Sequence, residues 1–133
     1  MGSPDGGLGD SKTTLLRTGP GGDRFEAWSL RWSDWASLAH PGPVDFVKMD
    51  IEGGEFEVLP TMREYLVSEK PTLLLSLHAP LLVESERGPR LEEVLDVLSG
   101  YEKCFDESRR PVQMQTVAAE ARDQYRSYLF MGP

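Results

Sequence analysis

The sequence predicts an α/β fold in which strands and helices alternate along a doubly wound sheet. Residues 44–51 form an apolar segment of strand length with apolar side chains on both faces of its pleat, which is typical of a central parallel strand covered by helices on both sides. Residues 72–77 form a second such segment. Segments with helical spacing follow both strands, and this alternation favours a doubly wound sheet.

Composition limits the kind of protein and its partners. A chain of 133 residues with 39% hydrophobic residues can form one domain or part of one. Its 14 basic and 22 acidic residues give a formal charge of -8, which argues against binding to nucleic acid or to an anionic membrane. Cys104 is the single cysteine and cannot form an intrachain disulfide, so we expect a reducing, cytoplasmic location. The sequence has no apolar segment near the roughly 20 residues needed to span a bilayer.

The chain divides into a glycine-rich lead-in, residues 1–23, and one domain segment, residues 24–133. We expect the lead-in to be flexible, with residues 13–17 as its one possible strand. Residues 25–30 predict a strand, and Ser33 is a candidate N-cap for a short helix that ends at the His-Pro-Gly-Pro sequence. The tryptophans of this region are expected to form a core seam; they are Trp28, Trp32 and Trp35.

A helix is predicted after the first apolar strand. A Gly-Gly pair permits a sharp turn, and Glu55 begins the helix. Pro60 should kink or restart it, and Lys70-Pro71 should end it. The apolar residues on its buried face are Phe56, Leu59 and Met62.

The second half of the chain continues the alternation. Residues 72–77 predict a fully buried strand that ends at His78, and residues 90–99 predict a helix with Gly100 as its left-handed terminal residue. We expect the final strand pair to be antiparallel at one edge. The remaining predicted segments are a strand at 101–105, a weaker segment at 112–117, a helical AAEARDQ sequence and a strand at 125–131.

Polar side chains follow both apolar strands where each one ends. Asp50 and Glu52 follow the first strand, while Ser76 and His78 close the second. Ligands bind beyond the carboxyl ends of the strands in open α/β sheets, so these side chains would face one pocket if the strands are neighbours. Lys48 lies two residues before Asp50 on the same face and could pair with it, which would keep the carboxylate ionised.

Structural alternatives exist for several of these residues. Glu55 could bind a ligand or could stabilise the start of its helix through the macrodipole. His78 could be a structural histidine, and Glu57 is expected to be a solvated helix residue. A functional role is favoured for Asp50, because few structural roles explain an acid at the end of an apolar parallel strand followed by Gly-Gly.

The run KMDIEGGE, residues 48–55, closely resembles the KxDxEGxE signature of FkbM-type methyltransferases. Residues 25–78 look like the C-terminal half of such a domain, and GYEKCF with YRSYLFMG is similar to the closing strand pair of class I methyltransferases. The resemblance implies a Rossmann-like sheet and methyl transfer from S-adenosylmethionine, typically to a hydroxyl oxygen. It also implies that Asp50 ends the fourth strand and contacts the cofactor beside the reacting methyl group.

The sequence departs from the family pattern in two ways. The family usually has a glutamate two residues before the histidine, where this chain has Ser76. The glycine-rich cofactor loop and the ribose-binding acid of class I methyltransferases also have no counterpart, because the glycines at 6–9 follow no predicted strand. We therefore expect a partial domain without its N-terminal cofactor-binding half.

The resulting functional hypothesis is O-methyl transfer to a small-molecule or sugar hydroxyl. Asp50 or His78 would take the hydroxyl proton, Glu52 would orient substrate or water, and Glu55 and Ser76 would contact substrate. No metal is required, although Asp50 and Glu52 could hold Mg²⁺.

Two other functions remain open. One is a non-catalytic binding or pseudoenzyme module that keeps part of the fold. The other is a metal-dependent hydrolase, which is weaker because no additional His or Asp cluster accompanies the DxE carboxylates. For a partial sheet we also expect self-association, or association with a missing N-terminal half, through an open strand edge.

Overall fold

The computed structural model describes residues 29–133, in two separately packed units. Residues 29–40 belong to the first unit, Met1–His40, and the second unit is Pro41–Pro133. The predicted lead-in at 1–23 lies outside the described residues, as does most of the predicted strand at 25–30. Residues 29 and 30, the described end of that strand, are in no helix or strand.

The first unit contains helix α1, Trp32–Ala39. It begins earlier than predicted, with Arg31 at the N-cap, and ends as predicted at His40, whose φ of 45° is left-handed. The rings of Trp32 and Trp35 lie 5.0 Å apart, but α1 has no buried residue. The prediction of a tryptophan core seam is therefore wrong for these two residues, and Trp28 lies outside the described range.

The second unit alternates strands and helices, which confirms the α/β prediction. Its elements are β1 Phe46–Met49, α2 Glu55–Thr61, α3 Arg63–Glu69, β2 Thr72–Leu77, a 3-10 turn Ala79–Leu81, α4 Glu84–Val97, β3 Lys103–Phe105, α5 Met114–Ala121 and β4 Arg126–Met131.

The four strands form one sheet in the order β1-β2-β4-β3. β1 and β2 are parallel neighbours, with Phe46 opposite Thr72 and Met49 opposite Leu75. β4 is antiparallel to both β2 and β3. The last strand of the chain therefore lies inside the sheet, and the predicted antiparallel pair at one edge is confirmed.

One face of this sheet is buried. Its central residues include Leu75 of β2 and Tyr128 of β4, which are directly opposite in register. Helix α2 and the break that follows it supply buried apolar residues of the predicted helix face, including Phe56 and Met62. Further buried residues of the unit are Leu59, Leu66, Leu73, Leu77, Leu91, Val94, Leu98, Val117, Ala121 and Phe130.

The opposite face is less covered, and this corrects two predictions. Residues of β2 alternate between buried and half-buried, so the strand is not buried on both faces. Within the described residues β1 pairs only with β2, and its Phe46 is 52% exposed. β1 is therefore an edge strand here rather than a covered central one, since nothing among these residues pairs with its outer side.

Several helix limits also differ from the predictions. The helix after β1 breaks at Met62, two residues after Pro60, and α3 ends at the left-handed Lys70 as predicted. α4 begins before the predicted start and accommodates Pro89, and it ends before Gly100, which does not have a positive φ. The weaker segment 112–117 contains the start of α5 instead of a strand.

Candidate active site at the ends of β1 and β2

A tight turn after β1 presents the first acidic residues. The amide of Gly54 donates to the carbonyl of Ile51 at 3.0 Å, and the two residues between them, Glu52 and Gly53, have φ of 53° and 97°. Positive φ at both central positions is the pattern of a type I′ turn. Gly53 adopts it without strain, whereas a residue with a Cβ incurs about 1–2 kcal/mol there. The turn therefore holds Glu52 in a strained conformation next to the candidate site, where such strain is often found.

Glu55 is the first residue of α2, and its side chain points into the protein interior. Its side chain has no exposed surface, and Oε2 accepts a hydrogen bond from the Gly53 amide at 2.9 Å. Oε1 accepts from the His78 amide at 2.6 Å and lies 3.1 Å from His78 Nδ1. A buried carboxylate is tolerated only when such donors compensate for its lost hydration. Glu55 thus joins the turn after β1 to the end of β2.

The Glu55 contact determines which nitrogen of His78 faces outward as an acceptor. Because the carboxylate accepts, Nδ1 is the donor, and a neutral ring then carries its lone pair on Nε2. Nε2 lies 3.4 Å from Asp50 Oδ1 and 3.9 Å from Glu52 Oε1. The His78 side chain is 10% exposed, while those of Asp50 and Glu52 are 46% and 67% exposed. The imidazole is therefore fixed in place beneath two solvent-accessible carboxylates.

The structure brings together the three residues predicted to be catalytic. One ligand atom each from Asp50, Glu52 and His78 lies within 4.8 Å of the others. Their proximity follows from the parallel pairing of β1 and β2, which places the carboxyl ends of both strands at one edge of the sheet.

The two residues expected to contact substrate have other neighbours. Glu55 is enclosed by the contacts described above, so it has no surface to offer a ligand, and its contribution would pass through His78. The hydroxyl of Ser76 lies 2.8 Å from that of Ser127 on β4, which makes a cross-strand pair. Ser76 is half-buried on the less covered face.

Two charged residues near the turn point to solvent. Lys48 is exposed, and the ion pairs among residues 29–133 do not include the predicted one with Asp50. Glu57 is exposed on α2 as predicted and pairs with Arg90 of α4.

Two residues near His78 were not predicted from the sequence to belong to the site. Tyr125 is 59% exposed and its ring centroid lies 5.7 Å from that of His78. Arg87 of α4 donates to the carbonyls of Pro80 and Leu82 at 3.1 and 3.2 Å and so holds the segment that follows His78. The position of Tyr125 could be inferred only by knowing that β4 lies antiparallel to β2, which places the start of β4 beside the end of β2.

This arrangement can take up a positive charge. The lone pair of Nε2 can accept a proton from a ligand, and the two carboxylates beside it attract positive charge. The same atoms also suit a bound cation or a cationic group of a ligand. Both possibilities use His78 as the one deeply buried member of the cluster.

The described helices are too short or too polar to cross a membrane.

Comparison with known proteins places the chain in a family. The searches of curated proteins and of solved structures found no match. The family model of the methyltransferase FkbM domain matches residues 22–106, which is more than half of the chain and includes Asp50, Glu55 and His78. The chain therefore belongs to the FkbM methyltransferase family.

Proposed function

We propose that this domain transfers a methyl group from S-adenosylmethionine to a hydroxyl oxygen of a small molecule or sugar. The observation that carries the proposal is the fixed orientation of His78 in a chain of this family. Its Nδ1 is engaged by buried Glu55, and its Nε2 is directed toward exposed carboxylates. S-adenosylmethionine would supply an electrophilic methyl group on a sulfonium cation.

The chain's own residues would manage the proton and the charge. A hydroxyl oxygen that gains a methyl group must lose its proton, and Nε2 of His78 is placed to accept it. The imidazolium that forms lies between Glu55 and Asp50, so both carboxylates favour the proton transfer. Asp50 is the alternative acceptor, since its carboxylate is partly exposed at the same edge. The negative charge of the cluster also suits a sulfonium group nearby.

Tyr125 supports a small-molecule acceptor. An exposed aromatic ring beside a catalytic histidine provides a surface on which a sugar or another compact molecule can pack. Ile51 and Leu81 are also exposed, and the Leu81 side chain lies against the turn at Gly53. We propose that these residues contact the acceptor.

We further propose that the sheet is the acceptor-side part of a Rossmann-like domain. The order β1-β2-β4-β3, with its antiparallel end, supports the resemblance to the closing half of a class I sheet. The edge of β1 that lacks a partner strand among the described residues would pair with strands that hold the methyl donor. On this proposal the chain alone binds S-adenosylmethionine weakly. Titration calorimetry measures the dissociation constant. A dissociation constant at or below about 10 μM, equivalent to about 7 kcal/mol, would contradict the acceptor-side assignment.

Methyl-transfer assays of the protein test the proposed chemistry. We expect His78→Gln to lower the turnover by about 10² to 10⁴, which is the usual contribution of a general base. Asp50→Asn should also reduce it, because the imidazolium loses one of its two carboxylate neighbours. Glu57→Gln is the matched control, since it removes one exposed carboxylate from the same segment and should leave turnover unchanged.

The variants are compared at equal folded fraction, checked by circular dichroism. If His78→Gln retains more than about a third of the wild-type turnover, His78 is not the proton acceptor. A large loss in Asp50→Asn alone would then assign that role to Asp50.

A further inference from the structure

Three acceptor atoms converge at the candidate site without a donor among them. They are Nε2 of His78, Oδ1 of Asp50 and Oε1 of Glu52. Among the ion pairs of residues 29–133, those of Asp50 and Glu52 involve only His78. Lys48 is the nearest cationic residue along the chain, and it pairs with neither carboxylate. No lysine or arginine of the described region therefore neutralises the pair of acids.

The acceptor atoms of this cluster face one another. Glu55 occupies Nδ1, so the lone pair of Nε2 points at two carboxylate oxygens. Acceptors that face one another repel, and the low exposure of His78 keeps solvent from separating them fully. A positive charge between them removes the repulsion. That charge can be a proton on Nε2 or a metal ion.

We propose that Asp50, Glu52 and His78 form a binding site for a divalent cation. Metal–ligand bonds of about 2.0–2.2 Å place adjacent ligand atoms about 2.8–3.6 Å apart in tetrahedral or octahedral geometry. The separation of Nε2 from Oδ1 of Asp50, 3.4 Å, already lies in that range, and that from Oε1 of Glu52, 3.9 Å, requires only a small closure. Both carboxylates are exposed enough to make that movement.

Glu55 gives this cluster a feature that a group of surface acids lacks. Metal-binding histidines usually donate their second ring nitrogen to a carboxylate, which fixes the ring and increases the basicity of the binding nitrogen. Here a fully buried carboxylate holds both the ring and the main-chain amide of the same histidine. The nine-tenths buried imidazole is thus oriented before any ion arrives.

The donor atoms indicate which cation fits. Two carboxylates neutralise a divalent charge and favour hard cations, whereas imidazole favours Zn²⁺ and other transition metals. A mixed site of this kind should prefer Mn²⁺ and Zn²⁺ to Ca²⁺ or Mg²⁺, which bind oxygen almost exclusively. The exposed side of the cluster leaves coordination positions for water or for a hydroxyl group.

The cation would also affect the proposed methyl transfer, although the binding site itself does not depend on that reaction. A hydroxyl group bound to a divalent cation releases its proton to solvent water more readily. In the metal-bound form the cation, rather than Nε2, would favour the deprotonated acceptor. Cation binding is measured directly, without a methyl-transfer assay. Absence of cation binding would therefore leave the methyl-transfer proposal standing.

Titration of the full chain with MnCl₂, after removal of metals with EDTA, tests the site. Free Mn²⁺ is measured by its electron paramagnetic resonance signal. We expect one ion per chain with a dissociation constant below about 100 μM, within the range of protein carboxylate sites. MgCl₂ at the same concentration should displace little of the bound Mn²⁺.

Charge-matched variants separate this site from general attraction to an acidic protein. Asp50→Asn and Glu57→Gln each remove one negative charge, but only Asp50→Asn should weaken Mn²⁺ binding, by about tenfold or more. His78→Gln, which keeps the formal charge with neutral histidine, should weaken it similarly. Equal binding by the wild type and these two site variants would overturn the proposal. Absence of measurable binding to the folded wild type would overturn it as well.

Discussion

A single oxygen of Glu55 holds both the main chain and the side chain of His78. Oε1 lies 2.6 Å from the His78 amide nitrogen and 3.1 Å from its Nδ1, across 23 residues of sequence. The other oxygen accepts from the Gly53 amide, in the turn that follows β1. Because β1 and β2 are parallel neighbours, this carboxylate links the two strand ends where the candidate site lies. Positioning of the imidazole and stability of the turn should therefore change together.

Replacing Glu55 by glutamine should destabilise the fold. Glutamine keeps the size of the side chain but lacks the charge that strengthens the three hydrogen bonds of Glu55. Its NH₂ group also places a hydrogen-bond donor in a buried position where the native oxygens accept. We expect the free energy of unfolding to fall by about 1–3 kcal/mol, measured by urea denaturation. Glu57→Gln, on the exposed side of α2, should change it by less than about 0.5 kcal/mol. Equal midpoints for the two variants would mean that the buried carboxylate does not support this turn.

Glycine at position 52 should stabilise the protein while removing a carboxylate from the site. Glu52 has a φ of 53°, for which the strain of about 1–2 kcal/mol exceeds the entropic disadvantage of glycine, about 0.5–1 kcal/mol. We expect Glu52→Gly to raise the free energy of unfolding by about 0.5–1 kcal/mol, and Glu52→Val to lower it because a β-branched residue tolerates this region poorly.

Glu64→Gly provides the control for the effect of glycine itself. Glu64 is exposed in the first turn of α3, where glycine should lower the free energy of unfolding by up to about 1 kcal/mol. If Glu52→Gly were destabilising to the same extent as Glu64→Gly in urea unfolding, backbone strain at the turn would not be the reason for its behaviour.

The edge of β1 that has no partner strand among residues 29–133 should promote self-association. Unpaired main-chain groups of an edge strand attract other strands, and Phe46 adds an exposed aromatic ring to this edge. We expect sedimentation of the chain to depend on its concentration, and Phe46→Lys to suppress that dependence because charge on an edge strand opposes pairing. Val67→Lys changes a residue of similar exposure, 53%, on helix α3 and should not suppress it. A monomeric wild type with a cooperative melt above about 65 °C would argue against an edge that requires a partner.

The sequence predicted those parts of the fold that depend on local patterns. The apolar segments, the Gly-Gly turn and the helix stop at Lys70 are each encoded within a few residues, and the structure confirms them. The placement of β4 between β2 and β3 is set by pairing between distant segments, which periodicity cannot reveal. Coverage of the sheet faces was also mispredicted, because an apolar side chain such as Phe46 shows a capacity for burial without showing what covers it.

The candidate site was predictable to the same extent. Asp50, Glu52 and His78 could be grouped because ligand sites follow strand ends, and the structure brings them together. The inward orientation of the Glu55 side chain depends on its contacts with the His78 amide and Nδ1. The position of Tyr125 depends on the antiparallel pairing of β4 with β2. Both relationships join distant parts of the chain, so residue type and spacing do not contain them.

The loop that follows β3 should contribute a pH-dependent part of the stability through Asp106. Its Oδ1 accepts from the amides of Ser108 and Arg110 at 2.8 and 2.9 Å, and its Oδ2 accepts from the Arg110 guanidinium at 3.1 Å. These contacts, above all the Arg110 amide, hold the pKa of Asp106 below its usual value. A pKa that is lower in the folded state stabilises the fold above the unfolded value of about 3.9, and the stabilisation is lost as the pH falls through the folded pKa.

Asp106→Asn should therefore lower the melting temperature at pH 7, and its difference from the wild type should shrink as the pH falls below the unfolded pKa of about 3.9 and through the lowered folded pKa. Thermal melts at several pH values, from neutral to well below that unfolded pKa, measure this difference. Ser108→Ala keeps the amide donor, so its difference from the wild type should not vary with pH in this way. If the gap between Asp106→Asn and the wild type were constant from neutral to acidic pH, the ionised carboxylate would not be what the loop amides stabilise.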